Sequence, residues 1–371
     1  MCCWRGFNLK RLLVYSYFCP DSQHRPGGVQ QIVGPLLDVL TRSYNWTLTV
    51  VHGAACQRPT KHICLPSWTS GNEPDSVDPH VLAGASQFLQ TLARGHHAAL
   101  SVDRMLPASL GVPCVLMSNT MAYETEATAA RANQWRTIIA PTERHAALVR
   151  MVRPLAHVRA VPYGLPGKLL EAAASNSFPL VTGQSQVIKL PHRPDRRKGH
   201  PEAIKGLAMA LPASKNVKLQ IAWLNEKRYA AYKDELHRLA QQLGVESQVE
   251  FCPWVDGIER WKSSADWTAT LQLGSFEESF GLSIVESILF GRPVVTLRQP
   301  AVREILGDTS LLLEIDDPHN WYAALCEYWR AGVGRPQFSN GLLDLLSLDR
   351  MAACYDKILI EANSADLFVH D

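Results

Sequence analysis

Short apolar runs alternate with helix-length stretches twice along the chain, the pattern of a parallel sheet with crossover helices. In the first half, 12–18, 47–51, 98–102, 113–118, 137–140 and 158–161 read as strands, and 29–41, 81–92 and 144–152 as helices. From 169 to 186 the pattern weakens into Ala, Ser, Asn, Pro and Gly, which predicts a linker. A second alternation follows, with strands at 187–190, 218–223, 249–252, 269–273, 294–297 and 311–314, and helices at 200–209, 229–242, 282–289 and 320–331. The last stretch, 349–362, sets Met351, Cys354, Tyr355 and Ile358 at helical spacing, so it docks an apolar face. The expectation is α/β and doubly wound, with domains at 1–181 and 182–347 and a terminal helical segment at 348–371. Two such units place a ligand cleft at the carboxyl ends of their strands.

Length and composition agree with two domains, since 371 residues at 46% hydrophobic content can bury two substantial cores. The 37 basic and 35 acidic residues leave a net charge of +2, so global charge points to neither nucleic acid nor an anionic membrane. Nine cysteines, at 2, 3, 19, 56, 64, 114, 252, 326 and 354, have no C-x-x-C spacing, which argues against zinc. Their odd, scattered arrangement fits a reducing cytoplasm. The apolar run after Lys10-Arg11 is too short for a signal peptide and ends without a small-residue cleavage pattern. No segment reaches the length of a membrane span, and no solenoid repeat is present.

Chemistry concentrates between Ser275 and Glu286, where Glu278 and Glu286 stand eight positions apart across a loop-to-helix junction. Phe280, Gly281 and Leu282 supply the first free N–H groups of that helix, which with its dipole suit phosphate oxygens and sugar hydroxyls. Gly281 has no Cβ to keep a ligand from the backbone. Gly27 and Gly28 follow the first strand, where they read either as an ordinary turn or as a phosphate loop. Arg193 and Lys198, five positions apart after strand 187–190, read either as a solvated basic turn with Arg196 and Arg197 or as a grip on an anion.

Glu278-Ser279-Phe280-Gly281-Leu282, Glu286, Gly291-Arg292-Pro293-Val294-Val295 and the stretch around Glu304 resemble, in order and spacing, the E-x7-E region of family 4 retaining glycosyltransferases. That resemblance implies the GT-B fold, two Rossmann-like domains with a terminal helix returning to the first. It also implies roles. Arg193 and Lys198 grip the donor diphosphate, Glu278 orients the transferred sugar, and Glu286 accepts bonds from ribose hydroxyls. Gly27 and Gly28 form the first glycine loop, and the base lies near 252–255, where Trp254 either stacks on it or belongs to the core.

The sequence departs from the family twice, with His192 where a Gly precedes the Arg, and Asn119 where many members have His. Asn can hydrogen-bond an acceptor hydroxyl but cannot titrate near neutral pH, so general-base catalysis from 119 is not expected. Asp103, after strand 98–102, reads as an acceptor contact or as a turn cap. Glu124 and Glu126 read as helix-start carboxylates, and His96 and His97, ahead of their strand, as structural. The implied function is transfer of a hexose-like sugar from a nucleoside diphosphate sugar to a hydroxyl of a small polar molecule, such as a secondary metabolite, or of a saccharide. Neither cofactor nor metal is expected. A nucleotide-sugar epimerase of the same fold and a non-catalytic sugar-nucleotide-binding protein are the alternatives, separated by whether donor alone is epimerised and by whether any turnover occurs.

Overall fold

A computed structural model of the chain describes residues 9–16, 28–52, 62–64, 79–102, 110–119, 136–175, 186–210, 216–255, 267–332 and 337–365. The chain divides into two compact units, one of Met1–Leu165 with Leu345–Asp371, the other Pro166–Asp344.

Among the described residues the first unit holds seven parallel strands, β1 (Lys10–Ser16), β2 (Trp46–His52), β3 (His62–Cys64), β4 (Ala98–Val102), β5 (Cys114–Met117), β6 (Thr137–Ala140) and β7 (His157–Ala160). Their order is β3-β2-β1-β4-β5-β6-β7. β1 and β4 are apolar on successive residues because they lie at the centre, covered on both faces; Leu12, Leu13, Val14, Ala98, Ala99 and Leu100 have no exposed surface. Helices α1 (Gly28–Tyr44), α2 (Pro79–Ala93) and α3 (Glu143–Val152) are crossovers, α3 being capped by Thr142, whose side chain accepts from the His145 N–H.

The second unit begins with α4 (Gly167–Ala174) and among its described residues has six parallel strands, β8 (Gln186–Leu190), β9 (Val217–Trp223), β10 (Val249–Pro253), β11 (Trp267–Gln272), β12 (Val294–Thr296) and β13 (Leu312–Glu314). Their order is β10-β9-β8-β11-β12-β13. Helices α5 (His200–Ala210), α6 (Ala230–Gln242), α7 (Leu282–Leu289), α8 (Pro300–Leu306), α9 (Trp321–Arg330) and α10 (Asn340–Leu345) accompany them. Fully buried Trp321 donates its indole N–H to the Ala203 carbonyl at 3.1 Å, a close approach open because residue 206 is Gly: a Cβ there would sit 2.3 Å from the indole nitrogen. The last described helix, α11 (Leu348–Ala365), packs on α1, β4 and β5 of the first unit and buries Met351, Tyr355 and Ile358.

Four elements differ from the expectations. β3 is three residues long and exists through its pairing with the end of β2. α8 begins at Pro300, tolerated at a first helical turn where its missing N–H costs nothing. α10 was not expected. The stretch read as a linker contains α4, which buries Leu169 and Ala173 and packs on α7. The compact units divide at Leu165/Pro166 and again at Asp344/Leu345, and the Leu165 N–H donates to the Leu346 carbonyl at 2.8 Å.

Gly164 lies against the start of α11, where an added Cβ would stand 2.4 Å from Leu348 Cα, whereas Gly84 in α2 has nothing within 4 Å. Gly164→Ala is expected to lower stability by about 1–3 kcal/mol, and Gly84→Ala to raise it by about 0.5–1 kcal/mol. Thermal melts of the two variants with opposite signs would bear this out; equal shifts would refute the packing assigned to Gly164.

Candidate functional site

In the second sheet the chain leaves β8 toward β9 on one side and comes back to β11 on the other. At such a reversal the loops after the two strands diverge and leave a crevice at their carboxyl ends. After β8 come His192, Arg193 and Asp195, a single 3-10 turn at Arg196–Lys198, and Gly199 leading into α5. After β11 come Gly274, Phe276 and Glu278, then Gly281 capping α7.

The two loops touch backbone to backbone. Gly199 has φ +79°, and a Cβ there would lie 2.5 Å from the Leu273 carbonyl oxygen. A Cβ at Gly274 would lie 3.0 Å from the Arg197 carbonyl oxygen, which accepts the Ser275 N–H at 3.2 Å. This contact brings Lys198 to Glu278: Nζ donates to Oε1 at 2.6 Å while sitting 4.4 Å from the Phe276 ring centroid. Both side chains are largely withdrawn from solvent, at 15% and 19% exposed.

The other basic residues of the turn separate by partner. Arg196 makes two bonds to Glu235 of α6, at 2.8 and 2.5 Å, and lies 4.7 Å from the Tyr232 ring centroid. Arg197 bonds Asp195 through its backbone and its guanidinium. Partial burial pushes the Asp195 carboxyl up, but the Arg197 hydrogen bonds, with the charges of Arg197 and Arg193, outweigh that and hold it below the usual carboxylate range. Arg193 is half exposed, its guanidinium 3.7 Å from Asp195, so it stays at the rim. His192 turns inward, its Nε2 3.0 Å from the Leu271 carbonyl oxygen of β11.

Gly281 caps α7 with φ +74°, and a Cβ there would meet Val302 at 2.5 Å. The Ile284 and Val285 N–H groups close onto the Gly281 carbonyl at 2.9 and 3.0 Å, so the amides of Gly281 and Leu282 come ahead of the first helical bond. Phe280 anchors the loop in the core and Glu286 is buried on α7, while Glu304 on α8 is exposed. Trp254 is half-buried just past β10, its N–H donating to the Trp223 carbonyl at 3.0 Å. It stands two strands from β8, ~10 Å across the sheet.

In the first unit Gly28 opens α1 after β1, beside the reversal between β1 and β4. Gly27, Asp103, Glu124 and Glu126 lie outside the described residues. Asn119 is buried at the end of β5; its Oδ1 accepts the Tyr163 hydroxyl and its Nδ2 donates to the Met117 carbonyl at 3.4 Å. His96 and His97 lie ahead of β4, His96 2.8 Å from the Thr49 hydroxyl and His97 accepting the Arg11 N–H at 2.9 Å. Among the described residues no group of three or more His, Cys, Asp or Glu is arranged to hold a metal ion.

Two residues of the site escaped the sequence reading. Gln272, the last residue of β11, donates Nε2 to Glu278 Oε1 at 2.5 Å, and Gln299, ahead of α8, accepts the Glu278 N–H at 2.8 Å. The available signal was a long polar side chain closing the otherwise small or apolar run of β11.

Residues 187–330 match the family described as Glycosyl transferases group 1. A glycosyltransferase from Rickettsia africae ESF-5 superposes over 96% of this chain and 99% of its own, with a TM-score of 0.71 at 11% identity. The chain has the two-domain GT-B fold. The crystal structure of Anabaena HepE in complex with UDP-glucose matches over 96% of this chain and 97% of its own, with a TM-score of 0.61 at 14% identity. In sequence, the lipopolysaccharide core biosynthesis glycosyltransferase LpsE of Rhizobium meliloti (strain 1021) is 30% identical over 95 residues, 25% of this chain. The aligned stretch spans 27% of LpsE.

The turn that carries Lys198 rests on His200, which is fully buried, its ring edge-on to Trp223 and Tyr232. Burial, with a smaller push from Lys198 and against the pull of Asp195, lowers its pKa to about 4. The folded form thus binds its proton less readily than the unfolded chain, whose His titrates near 6.5. Its contribution is complete above that pH and declines as pH falls toward 4, by about 3 kcal/mol in all. Urea midpoints between pH 7 and 4 are expected to fall less steeply for His200→Phe than for wild type; parallel curves would exclude His200 as the source.

Proposed function

We propose that the protein is a family 4 retaining glycosyltransferase, moving a hexose-like group from a nucleoside diphosphate sugar to a hydroxyl of a saccharide or small polar acceptor. The observation that carries this reading is the 2.6 Å contact between Lys198 and Glu278 at the β8/β11 reversal, inside the stretch matching the group 1 family. A cation, a carboxylate and a helix start converge there, which suits a ligand with anionic phosphates at one end and hydroxyls at the other.

In the proposed reaction the bond from the anomeric carbon to the β-phosphate oxygen breaks, its electron pair leaving with the diphosphate. The acceptor oxygen bonds to the same face of that carbon, and its proton passes to a departing phosphate oxygen. No enzyme nucleophile is needed. Charge grows on the diphosphate as the bond breaks, so Lys198 and Arg193, fixed beside it, stabilise the transition state more than the ground state. The Phe280, Gly281 and Leu282 amides add a neutral share. Glu278 takes hydroxyls of the transferred sugar, Glu286 those of the ribose, and Trp254 packs on the base. Gly27 and Gly28 are assigned to donor phosphates, Asp103 and Asn119 to the acceptor, and the reaction to the cytoplasm.

HepE was solved with UDP-glucose, which makes UDP-sugars the first donors to try. The name of the Rhizobium relative favours a saccharide acceptor over a secondary metabolite. A thermal-shift panel of UDP-, GDP-, ADP- and dTDP-sugars selects the donor, since ligand at a hundred times its Kd stabilises by about 2.7 kcal/mol. With that donor, Lys198→Ala and Glu278→Gln are each expected to lower kcat/KM roughly 100-fold or more. Transfer near the wild-type rate by both variants would sink the assignment.

A further inference from the structure

We infer that Gln272 and Gln299 are positioning residues that clamp Glu278, holding one carboxylate oxygen inward and presenting the other to the transferred sugar. The inference rests on the proposed donor site and adds to it a pair of residues that set the orientation of its carboxylate.

Both glutamines are 1% exposed, yet they come from different elements and grip different parts of the same residue. Gln272 holds the carboxylate: its Nε2 and the Lys198 ammonium both donate to Oε1, at 2.5 and 2.6 Å. Oε2 receives no hydrogen bond from the described residues. Gln299 holds the backbone, its Oε1 accepting the Glu278 N–H at 2.8 Å and its Nε2 donating to the Phe276 carbonyl at 3.3 Å. One carboxamide thus serves as both acceptor and donor for the 276–278 loop, as a neighbouring strand would. Gln299 is itself held, because its N–H donates to Glu314 Oε1 at 3.1 Å and Glu314 Oε2 takes Arg303 at 2.6 Å.

Stability alone does not account for Gln272. Its Oε1 is buried with no hydrogen-bond partner among the described residues, an arrangement that costs free energy an apolar side chain would avoid. What the position gains is a neutral donor on Glu278. When a diphosphate draws the Lys198 ammonium, an uncharged amide still fixes the carboxylate without cancelling its charge, and Oε2 keeps its full strength for a sugar hydroxyl.

The test uses the full chain with Gln272→Met and Gln299→Met, which keep side-chain length and remove the carboxamide. Calorimetric titration with UDP and GDP reads the phosphate and base contacts; UDP or GDP released from UDP-glucose or GDP-mannose reads the sugar step. The clamp predicts affinity for the free diphosphate within two-fold of wild type and kcat/KM for release at least ten-fold lower. Should one variant fail to fold, the other carries the same expectation. Release within two-fold of wild type, or diphosphate affinity falling in parallel with release, overturns the clamp. A wild type that binds none of UDP, GDP, ADP and dTDP and releases none of them from the corresponding sugars overturns the donor-site reading, and the clamp with it.

Discussion

The backbone of Gly199 lies against the carbonyl of Leu273, and this approach sets the distance between everything on the β8 loop and everything on the β11 loop. A side chain at 199 would meet three atoms of Leu273 within 2.6 Å, and its φ of +79° already excludes most residues. Because β8 and β11 are bonded neighbours, their loops start about 4.8 Å apart. The glycine keeps them from diverging at once. Lys198 and Glu278 meet on one side of the contact, and Phe276 completes the site beneath the ammonium.

Around that junction the polar groups form a ladder. Asp195 holds Arg197, Arg196 ties the turn to Glu235 of α6, and His192 reaches back to the Leu271 carbonyl. On the far side, Glu314 and Arg303 hold Gln299, which holds the loop of Glu278. Individually exposed pairs of this sort contribute little to stability. Their effect is on freedom: the turn bearing Lys198 and the loop bearing Glu278 are each tied to a helix, so the two side chains meet with few alternative arrangements to lose.

Most of the frame was readable because central parallel strands, covered on both faces, appear as unbroken apolar runs, as in Leu12 to Tyr15 and Ala98 to Leu100. β3 was not, since His62-Ile63-Cys64 becomes a strand only through register with Val50 to His52, a tertiary fact. α4 hid in a composition of Ala, Ser and Asn that reads equally well as linker. At the site, Lys198 and Glu278 stood out through spacing and a helix-start glycine. Arg196 and Arg197 could not be separated from Lys198 by charge, because what distinguishes them is Glu235 and Asp195 nearby. Gln272 and Gln299 left still less trace: a carboxamide has no charge pattern, and its importance arises from burial beside a carboxylate.

The two departures from the family pattern take on meaning in this setting. His192 replaces a glycine, yet its ring packs inward and bonds the β11 carbonyl, so it adds a strut to the junction that Gly199 keeps close. Asn119 replaces a histidine, and its carboxamide is taken up by the Tyr163 hydroxyl and the Met117 carbonyl. A neutral, engaged amide there cannot take a proton from an acceptor hydroxyl. In the proposed reaction the base comes from the leaving group, which would make the charge held by Lys198 and Arg193 decisive. Too little positive charge would let the diphosphate leave slowly, and too much would strip its oxygen of the basicity that the acceptor proton requires. One cation buried against Glu278 and one at the exposed rim is an arrangement between those limits.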